Sequence, residues 1–253
     1  MRKYSASTLP FTAFALDQFL RNLADNGISA VELAKAHFDG LDAQAAKVLQ
    51  EETGVRFKSL LSTVNIATPN GLDEMVAVLD IAKGLAISMV SVSSGGREEV
   101  TEAEIDTIID RLATLTETAA HRNITLAFYA HEGSMAYSLE RTQRIFDAIS
   151  SDYLGFYYSP YHFHRAGDDP VAALENLAAR LCNVYFNCGV DPATGKQPFW
   201  GPEMDLSAIC AAIQQAGYSE EIMLIYLGLK AETPRPITEG IVHARSLLEV
   251  CFR

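Results

Sequence analysis

The sequence lacks any long uninterrupted apolar run. No stretch approaches the roughly 20 apolar residues that a membrane-spanning helix needs, and the first residues, Met1 to Ser5, contain no apolar core of the kind found in export signals. From these two absences we expect a cytoplasmic protein that has no membrane partner.

Cysteine is scarce and shows no paired spacing. The four cysteines lie at positions 182, 188, 210 and 251, and no two of them form a CxxC pair. A chain of 253 residues can bury a large core without covalent cross-links. Reduced thiols in a cytosolic setting are therefore the simplest interpretation.

Basic residues are in the minority. The 20 lysines and arginines are outnumbered by 32 aspartates and glutamates, so the formal net charge is −12. This charge repels phosphate backbones, and the sequence offers no basic stripe that would bind one. We therefore expect no nucleic-acid partner, although the N-H groups at a helix start can still attract a small anion.

Strand-like and helix-like segments alternate along the whole chain. The predicted strands are 3–7, 30–33, 56–64, 88–92, 125–129, 154–158, 183–186 and 222–227, and helical spacing occupies 14–26, 72–84, 104–121, 139–149, 171–181, 206–216 and 237–252. Eight β/α units of about 30 residues use up the chain and predict one (β/α)8 TIM-barrel domain over residues 1–253. A doubly wound sheet is the alternative, but no GxGxxG follows the first strand.

Two apolar runs, 124–131 and 154–162, end in His131 and His162. In a β/α barrel, the active site lies where strands end, so these histidines are the candidate catalytic residues. The loop 188–201 is longer than usual for such a connection, and we expect it to cover the site. The side chains expected to contact the substrate are Glu32, Tyr129, Ser159, His164, Arg165, Tyr185, Trp200 and Tyr226.

Several segments, in order, resemble the sugar phosphate isomerase/epimerase family, which has a xylose isomerase-like barrel. The resemblance covers essentially the whole chain. It implies a small sugar, sugar acid or polyol derivative as ligand, isomerisation or epimerisation as reaction, and a homodimer or homotetramer. The matching segments are Gly27 to Leu33, the runs ending in His131 and His162, Gly167-Asp-Asp-Pro170, Trp200 to Asp205, and Ala216-Gly-Tyr218.

The resemblance also implies a divalent metal such as manganese or zinc, held by Glu, Asp, His and Glu on strands five to eight. In this sequence, those positions carry Tyr129, Ser159, Tyr185 and either Ile225 or Tyr226. Neutral hydroxyl groups do not replace the negative charges that such a cation needs. We therefore expect that the usual metal site does not form and that the protein has no metal cofactor.

Three functions remain open at this point. The preferred one is metal-free proton transfer by His131 and His162, since histidine can act as acid or base near neutral pH. A nearby tyrosine would then polarise a substrate oxygen.

The second function uses a relocated metal site. His162 and His164 are two residues apart, so on an extended segment both would point to the same side. The ligands of the relocated site would come from His131, Glu132, His162, His164, Cys188 and Asp191.

The third function is that of a non-catalytic protein, either a sugar-binding module or an assembly subunit, whose tyrosines stack on sugar rings.

Overall fold

The computed structural model describes residues 2–97, 99–190 and 203–253. Its eight strands pair in sequence order as a closed parallel barrel, which confirms the predicted (β/α)8 TIM-barrel fold. The strands are β1 (Tyr4–Ser7), β2 (Ala30–Ala34), β3 (Arg56–Leu61), β4 (Met89–Val92), β5 (Thr125–Tyr129), β6 (Leu154–Tyr158), β7 (Leu181–Gly189) and β8 (Ile222–Leu227).

Ten α-helices lie between and after these strands in the described ranges. None of them is long and apolar enough to cross a bilayer. They are α1 (Leu20–Asp25), α2 (Lys35–Phe38), α3 (Ala43–Thr53), α4 (Gly71–Gly84), α5 (Glu102–Ala120), α6 (Leu139–Ala148), α7 (Pro160–Ala166), α8 (Pro170–Leu177), α9 (Leu206–Gln215) and α10 (Arg235–Cys251).

The strands predicted at 125–129, 154–158 and 222–227 are confirmed with the same bounds. Strand β3 ends earlier than predicted, because the N-H of Ser62 donates to the Ser91 hydroxyl, 3.2 Å away, instead of continuing the ladder. Strand β7 is longer than predicted, since its pairing with β8 continues as far as Gly189 and Leu227.

Three helices, α2, α3 and α7, lie outside the predicted helical segments. Helix α2 has only four residues, too few for helical spacing to be detected. Helix α3 buries only Ala46, so it has almost no apolar stripe to detect. Helix α7 lies where an extended segment was assumed. Pro160 occupies its first turn, and Gly167 ends it in the left-handed region, with φ of +84°.

By its contacts, the chain divides into two compact units, Met1–Lys58 with Val184–Arg253, and Ser59–Asn183. In the second unit, Phe128 of β5 and Phe156 of β6 both pack against Phe146 of α6, with ring centroids 6.2 and 6.0 Å away. Alternation along the strands therefore places the next residues, Tyr129 and Tyr157, on the opposite, inner face.

In the first unit, a buried ion pair links the amino ends of β3 and β8. The Lys58 and Glu221 side chains are 6% and 8% exposed, and their charged atoms lie 3.4 Å apart. Burial lowers the pKa of Lys58. Burial alone would raise the pKa of Glu221, but hydrogen bonding to Arg56 and the charge of Lys58 lower it overall. The carboxylate of Glu221 is therefore the counter-charge that offsets the cost of burying the Lys58 ammonium.

We predict that Glu221→Gln destabilises the fold by roughly 3–5 kcal/mol, because it leaves the Lys58 ammonium buried without its counter-charge. The measurement is the free energy of unfolding in urea. The control is Glu239→Gln, which breaks an exposed pair with Arg235 and should cost less than about 1 kcal/mol. Equal losses in the two variants would contradict the prediction.

Candidate active site

The two candidate catalytic histidines lie side by side in the Ser59–Asn183 unit. The ring centroids of His131 and His162 are 4.4 Å apart, and the rings are inclined by 37°. His131 is exposed in the turn after β5, whereas His162 is 3% exposed in α7. The structure thus brings the two predicted residues together in different environments.

Both ring nitrogens of His162 have hydrogen-bond partners. Its Nε2 lies 2.5 Å from the Tyr129 hydroxyl oxygen. The backbone N-H of Glu132 donates to its Nδ1 over 3.2 Å. Since Nδ1 accepts this bond, the neutral ring carries its proton on Nε2 and donates it to Tyr129. We assign this tautomer from the hydrogen-bond partners.

Burial lowers the pKa of His162 well below its usual value, and the nearby charges of His131 and Arg165 lower it further. The ring is enclosed by other aromatic groups: the Tyr129 and Tyr161 rings lie 5.1 and 5.2 Å away, both edge-on. A charged imidazolium at this position would have little contact with water to stabilise it. His162 is therefore neutral at neutral pH.

His131 has the opposite tautomer. Its Nδ1 lies 2.5 Å from the carbonyl oxygen of Glu132. A carbonyl oxygen only accepts hydrogen bonds, so the proton lies on Nδ1, and Nε2 carries a lone pair in the neutral ring. An exposed imidazole nitrogen with a lone pair is a suitable general base.

A tight turn after β5 directs the Glu132 carbonyl. The N-H of Ser134 donates to the His131 carbonyl over 3.1 Å, and Gly133 has a φ of +80°. A hydrogen-bonded turn with positive φ at its third residue alone is a type II turn, which favours glycine there. The Glu-Gly sequence thus determines where the carbonyl that orients His131 points.

Neighbouring loops hold this turn in place. The Met135 N-H donates to the Gly95 carbonyl over 2.8 Å, and the Ala136 N-H donates to the Ser94 hydroxyl over 2.9 Å. On the other side, the Asp168 carboxylate accepts from the Leu139 N-H, 2.7 Å away. Bonds from two loops therefore fix the backbone between β5 and α6.

Arg165, predicted to contact an anionic ligand, forms an ion pair with Glu132. Its Nε and its terminal nitrogen Nη2 lie 3.0 and 2.8 Å from the same carboxylate oxygen. Both side chains are about one third exposed. The charge of Arg165 is thus largely balanced within the protein.

The assumption that His162 and His164 point the same way is wrong. Both residues lie on helix α7, where side chains two positions apart diverge by about 200°. Among the residues that the structure describes, no group of three or more histidine, cysteine, aspartate or glutamate side chains is placed to hold a metal ion.

The remaining predicted residues of this unit lie at the ends of β5 and β6. Tyr129 is 7% exposed and Ser159 is 1% exposed, and Ser159 immediately precedes α7. These two residues stand where the resemblance implies carboxylate ligands. A phenol hydrogen-bonded to His162 and a buried serine hydroxyl do not fit a divalent cation.

In the other unit, Glu32 is fully buried in β2, and Tyr185 is 4% exposed in β7. The Tyr226 ring packs against Gly240 of α10, where an added Cβ would lie 2.4 Å from the ring. Ile225 therefore faces the opposite side of β8. Neither a phenol at Tyr185 nor the hydrocarbon side chain of Ile225 fits a divalent cation.

Three sequence predictions fall outside the described residues. Trp200 and Asp191 belong to residues 191–202, and so does most of the loop 188–201 that we expect to cover the site. Their roles stay predictions.

The hydrogen bonds from the backbone of Glu132 to the two histidines were not predicted from the sequence. The N-H and C=O groups of this residue bind His162 and His131, respectively. The signal that was available is the Glu132-Gly133 pair directly after a strand, which is typical of a type II turn.

A comparison with protein-family models matches residues 20–247 to the xylose isomerase-like TIM barrel family. No curated protein matches the sequence. Many solved structures share the fold.

Three of these solved structures represent the range of similar folds. A probable 3-DHS dehydratase, AsbF from Bacillus anthracis, has a TM-score of 0.80 and 13% identity, over 96% of this chain and 98% of its own. An L-ribulose 3-epimerase has a TM-score of 0.76 and 17% identity, and the match covers 100% of this chain and 95% of the epimerase chain. The IOLI protein, determined with a bound zinc atom, has a TM-score of 0.79 and 16% identity, over 100% and 98%.

The buried neutral state of His162 predicts a pH-dependent stability. Below a pH of about 6.5, the unfolded chain binds a proton at this residue, whereas the folded chain does not, because its pKa is lower. The free energy of unfolding therefore falls as pH falls, by at most about 1.4 kcal/mol per pH unit from this group.

We expect His162→Gln to have a smaller slope of unfolding free energy between pH 6.5 and 5 than the unmodified protein, as measured by urea denaturation. The control is His243→Gln, on the exposed side of α10, which should keep the original slope. The pKa of His37 is also lowered by burial, but this residue is present in every variant and its effect cancels. Identical slopes for all three proteins would refute the prediction.

Proposed function

We propose, because the chain belongs to the xylose isomerase-like TIM barrel family, that it isomerises or epimerises a small sugar, sugar acid or polyol derivative. The proton transfer relies on His131 and His162 and does not require the divalent metal of typical members. The observation that carries this proposal is the contact of His131 with His162, whose ring centroids lie 4.4 Å apart after β5 and β6 and whose hydrogen bonds place the imidazole protons on different nitrogens.

The reaction class follows from what this pair can do. Isomerisation and epimerisation of a carbonyl sugar both begin with loss of a proton from the carbon next to the carbonyl group. His131 offers an exposed nitrogen lone pair to accept that proton. His162 and Tyr129 form a hydrogen-bonded pair, and the Tyr129 ring lies 5.4 Å from the His131 ring. This pair can stabilise the oxygen on which negative charge develops.

The substrate class is supported by the family and by the neighbouring structures. One of those neighbours is an L-ribulose 3-epimerase, and the family's barrels include sugar isomerases. Tyrosine rings in the site suit such a ligand, because aromatic faces pack well on the apolar faces of sugar rings. Tyr129 and Tyr157 lie 5.1 Å apart at the inner face of β5 and β6.

A non-catalytic sugar-binding protein or assembly subunit is the second candidate. The same cluster of tyrosines favours it, since stacking requires no proton transfer. The two candidates differ in one measurable property, which is whether a bound sugar exchanges its carbon-bound proton with solvent.

We predict that the metal-depleted protein catalyses exchange of the proton next to the carbonyl group of a small sugar in D2O, followed by proton NMR with L-ribulose and D-fructose as probes. His131→Ala and His162→Ala should each lower the rate by about 10²- to 10⁴-fold, the usual contribution of a general acid or base. The matched control, His243→Ala, should leave it unchanged.

Each alternative has its own outcome in this experiment. Unchanged exchange in both histidine variants would overturn the assignment of the site. Exchange that appears only after addition of manganese, zinc or magnesium would overturn the metal independence. Sugar binding in calorimetry without any exchange would favour the non-catalytic candidate.

We also propose a cytoplasmic homodimer or homotetramer whose ligand is carbohydrate-like, with neither nucleic acid nor membrane as partner. The assembly state rests on the family resemblance alone. Light scattering of the full chain should give two or four times the 27.6 kDa of one chain. A clean monomer would refute the assembly.

A further inference from the structure

We propose that Tyr129 is the group that protonates the substrate oxygen, while His162 acts as a positioning residue behind it. This inference deepens the proposed function and rests on it. The reaction requires two proton transfers, and each is assigned to one of the residues that flank Ala130 in the sequence. His131 removes the proton from carbon, and Tyr129 donates a proton to oxygen.

His162 has no ring nitrogen left for a substrate. Its Nδ1 accepts from the Glu132 N-H, and its Nε2 lies 2.5 Å from the Tyr129 hydroxyl oxygen. The side chain is 3% exposed. A group that exchanges protons with a ligand must reach it within hydrogen-bond distance. His162 therefore acts through the residue that its Nε2 contacts.

Tyr129 is that residue. Its hydroxyl oxygen accepts the Nε2 proton of His162, so its own proton is directed to another acceptor. The ring lies on the inner face of β5, and its centroid is 5.4 Å from that of His131. One small ligand can therefore contact the His131 imidazole and the Tyr129 hydroxyl at once.

His131 Nε2 takes the proton from the carbon next to the carbonyl group, and the C-H electron pair forms a carbon-carbon double bond. The carbonyl π pair moves to oxygen, which takes the hydroxyl proton of Tyr129. This leaves an imidazolium at His131 and a phenolate at Tyr129.

The reverse transfers complete the reaction. When the imidazolium returns its proton to the original carbon, the phenolate takes back the hydroxyl proton from the enol oxygen. When the proton goes to the former carbonyl carbon, the phenolate takes the proton of the other enediol hydroxyl group, a new carbonyl group forms there, and the result is isomerisation. Epimerisation requires that the enediol turns its other face to His131 before the proton returns to the original carbon, because the same imidazole removes and returns it.

The role of His162 follows from the charge that appears on Tyr129. A phenolate oxygen that accepts an N-H is held by a charge-assisted hydrogen bond, which is stronger than the bond to the neutral phenol. The Tyr161 and Tyr157 rings lie beside this pair, whose two side chains are almost fully buried, and preorganised donors act most strongly where water has little access.

The Glu132 backbone gives the two histidines these different roles. Its N-H fixes the proton of His162 on Nε2, facing Tyr129, and its C=O fixes the proton of His131 on Nδ1, away from the lone pair on Nε2. A substitution of the Glu132 side chain does not remove either bond. The test therefore uses the histidines and the tyrosine themselves.

The first measurement is the tautomer of each histidine, by long-range proton-nitrogen NMR of protein labelled with 15N-histidine. His131→Asn and His162→Asn assign the two signals. We expect the neutral Nε2-H form at His162 to persist below the usual pKa of histidine, because burial lowers the pKa of this residue, and we expect the Nδ1-H form in the neutral state of His131. The Nδ1-H form at His162 would overturn the inference, and this readout requires no substrate.

The second measurement is deuterium exchange into the sugar. Tyr129→Phe should lower the maximal rate by about 10²- to 10³-fold, as for loss of one donor to an oxyanion, with little change in KM. The matched control is Tyr158→Phe on the other face of β6, whose hydroxyl donates to the Pro170 carbonyl and should not affect exchange. Exchange at the unmodified rate in Tyr129→Phe would overturn the inference.

The positioning role has its own readout. Glutamine carries an N-H donor near the place of Nε2, so His162→Gln should retain at least tenfold more exchange than His162→Leu at equal folded fraction. Equal rates in the two variants would show that His162 serves packing only. Loss of exchange in His131→Ala together with full exchange in Tyr129→Phe would leave the proposed function standing and remove only this inference.

Discussion

The backbone of one residue, Glu132, is the constraint on which the candidate site depends. Its N-H and C=O groups bind two neighbouring histidines, and each bond determines which ring nitrogen carries the proton in the neutral ring. A backbone amide does not titrate in the physiological range, so the two groups that orient these rings do not themselves change with pH. The site thus obtains an asymmetric pair from two identical side chains.

The barrel supplies the conditions for this arrangement. The pairing of β5 with β6 places Tyr129 opposite Tyr157, and α7 starts directly after β6, so His162 lies next to the end of β5. The type II turn at Gly133 then directs the Glu132 carbonyl, and bonds from the Ser94 and Asp168 loops hold the turn. The strand pairing, helix α7 and the hydrogen bonds from the two loops together fix the backbone that carries Tyr129, His131 and His162.

The sequence predicted the fold, and it predicted that His131 and His162 follow neighbouring strands, because both depend on local patterns; the catalytic role of the two histidines stays a prediction. Alternating strand and helix signals determine a β/α barrel, and strand ends determine where His131 and His162 lie. Helix α7 was missed because residues 154–162 were interpreted as one extended run that ends in His162. The tautomers were out of reach of the sequence, since they depend on hydrogen-bond directions that appear only when a turn and a helix meet in space.

Replacing carboxylates with hydroxyl groups changes what the site can stabilise. A divalent cation offers two full charges to a developing oxyanion, whereas a phenol held by a neutral imidazole offers one hydrogen bond and the transfer of one proton. The neutral groups also cost less to bury, because no ion has to lose its hydration. A site of this kind favours substrates whose carbon-bound proton is already acidic. It requires a rigid geometry, because a neutral donor acts only over hydrogen-bond distance. In the proposed mechanism, the rigidity around Glu132 and the neutrality of His162 therefore act together, because accurately placed neutral donors take the place of a metal ion's charge.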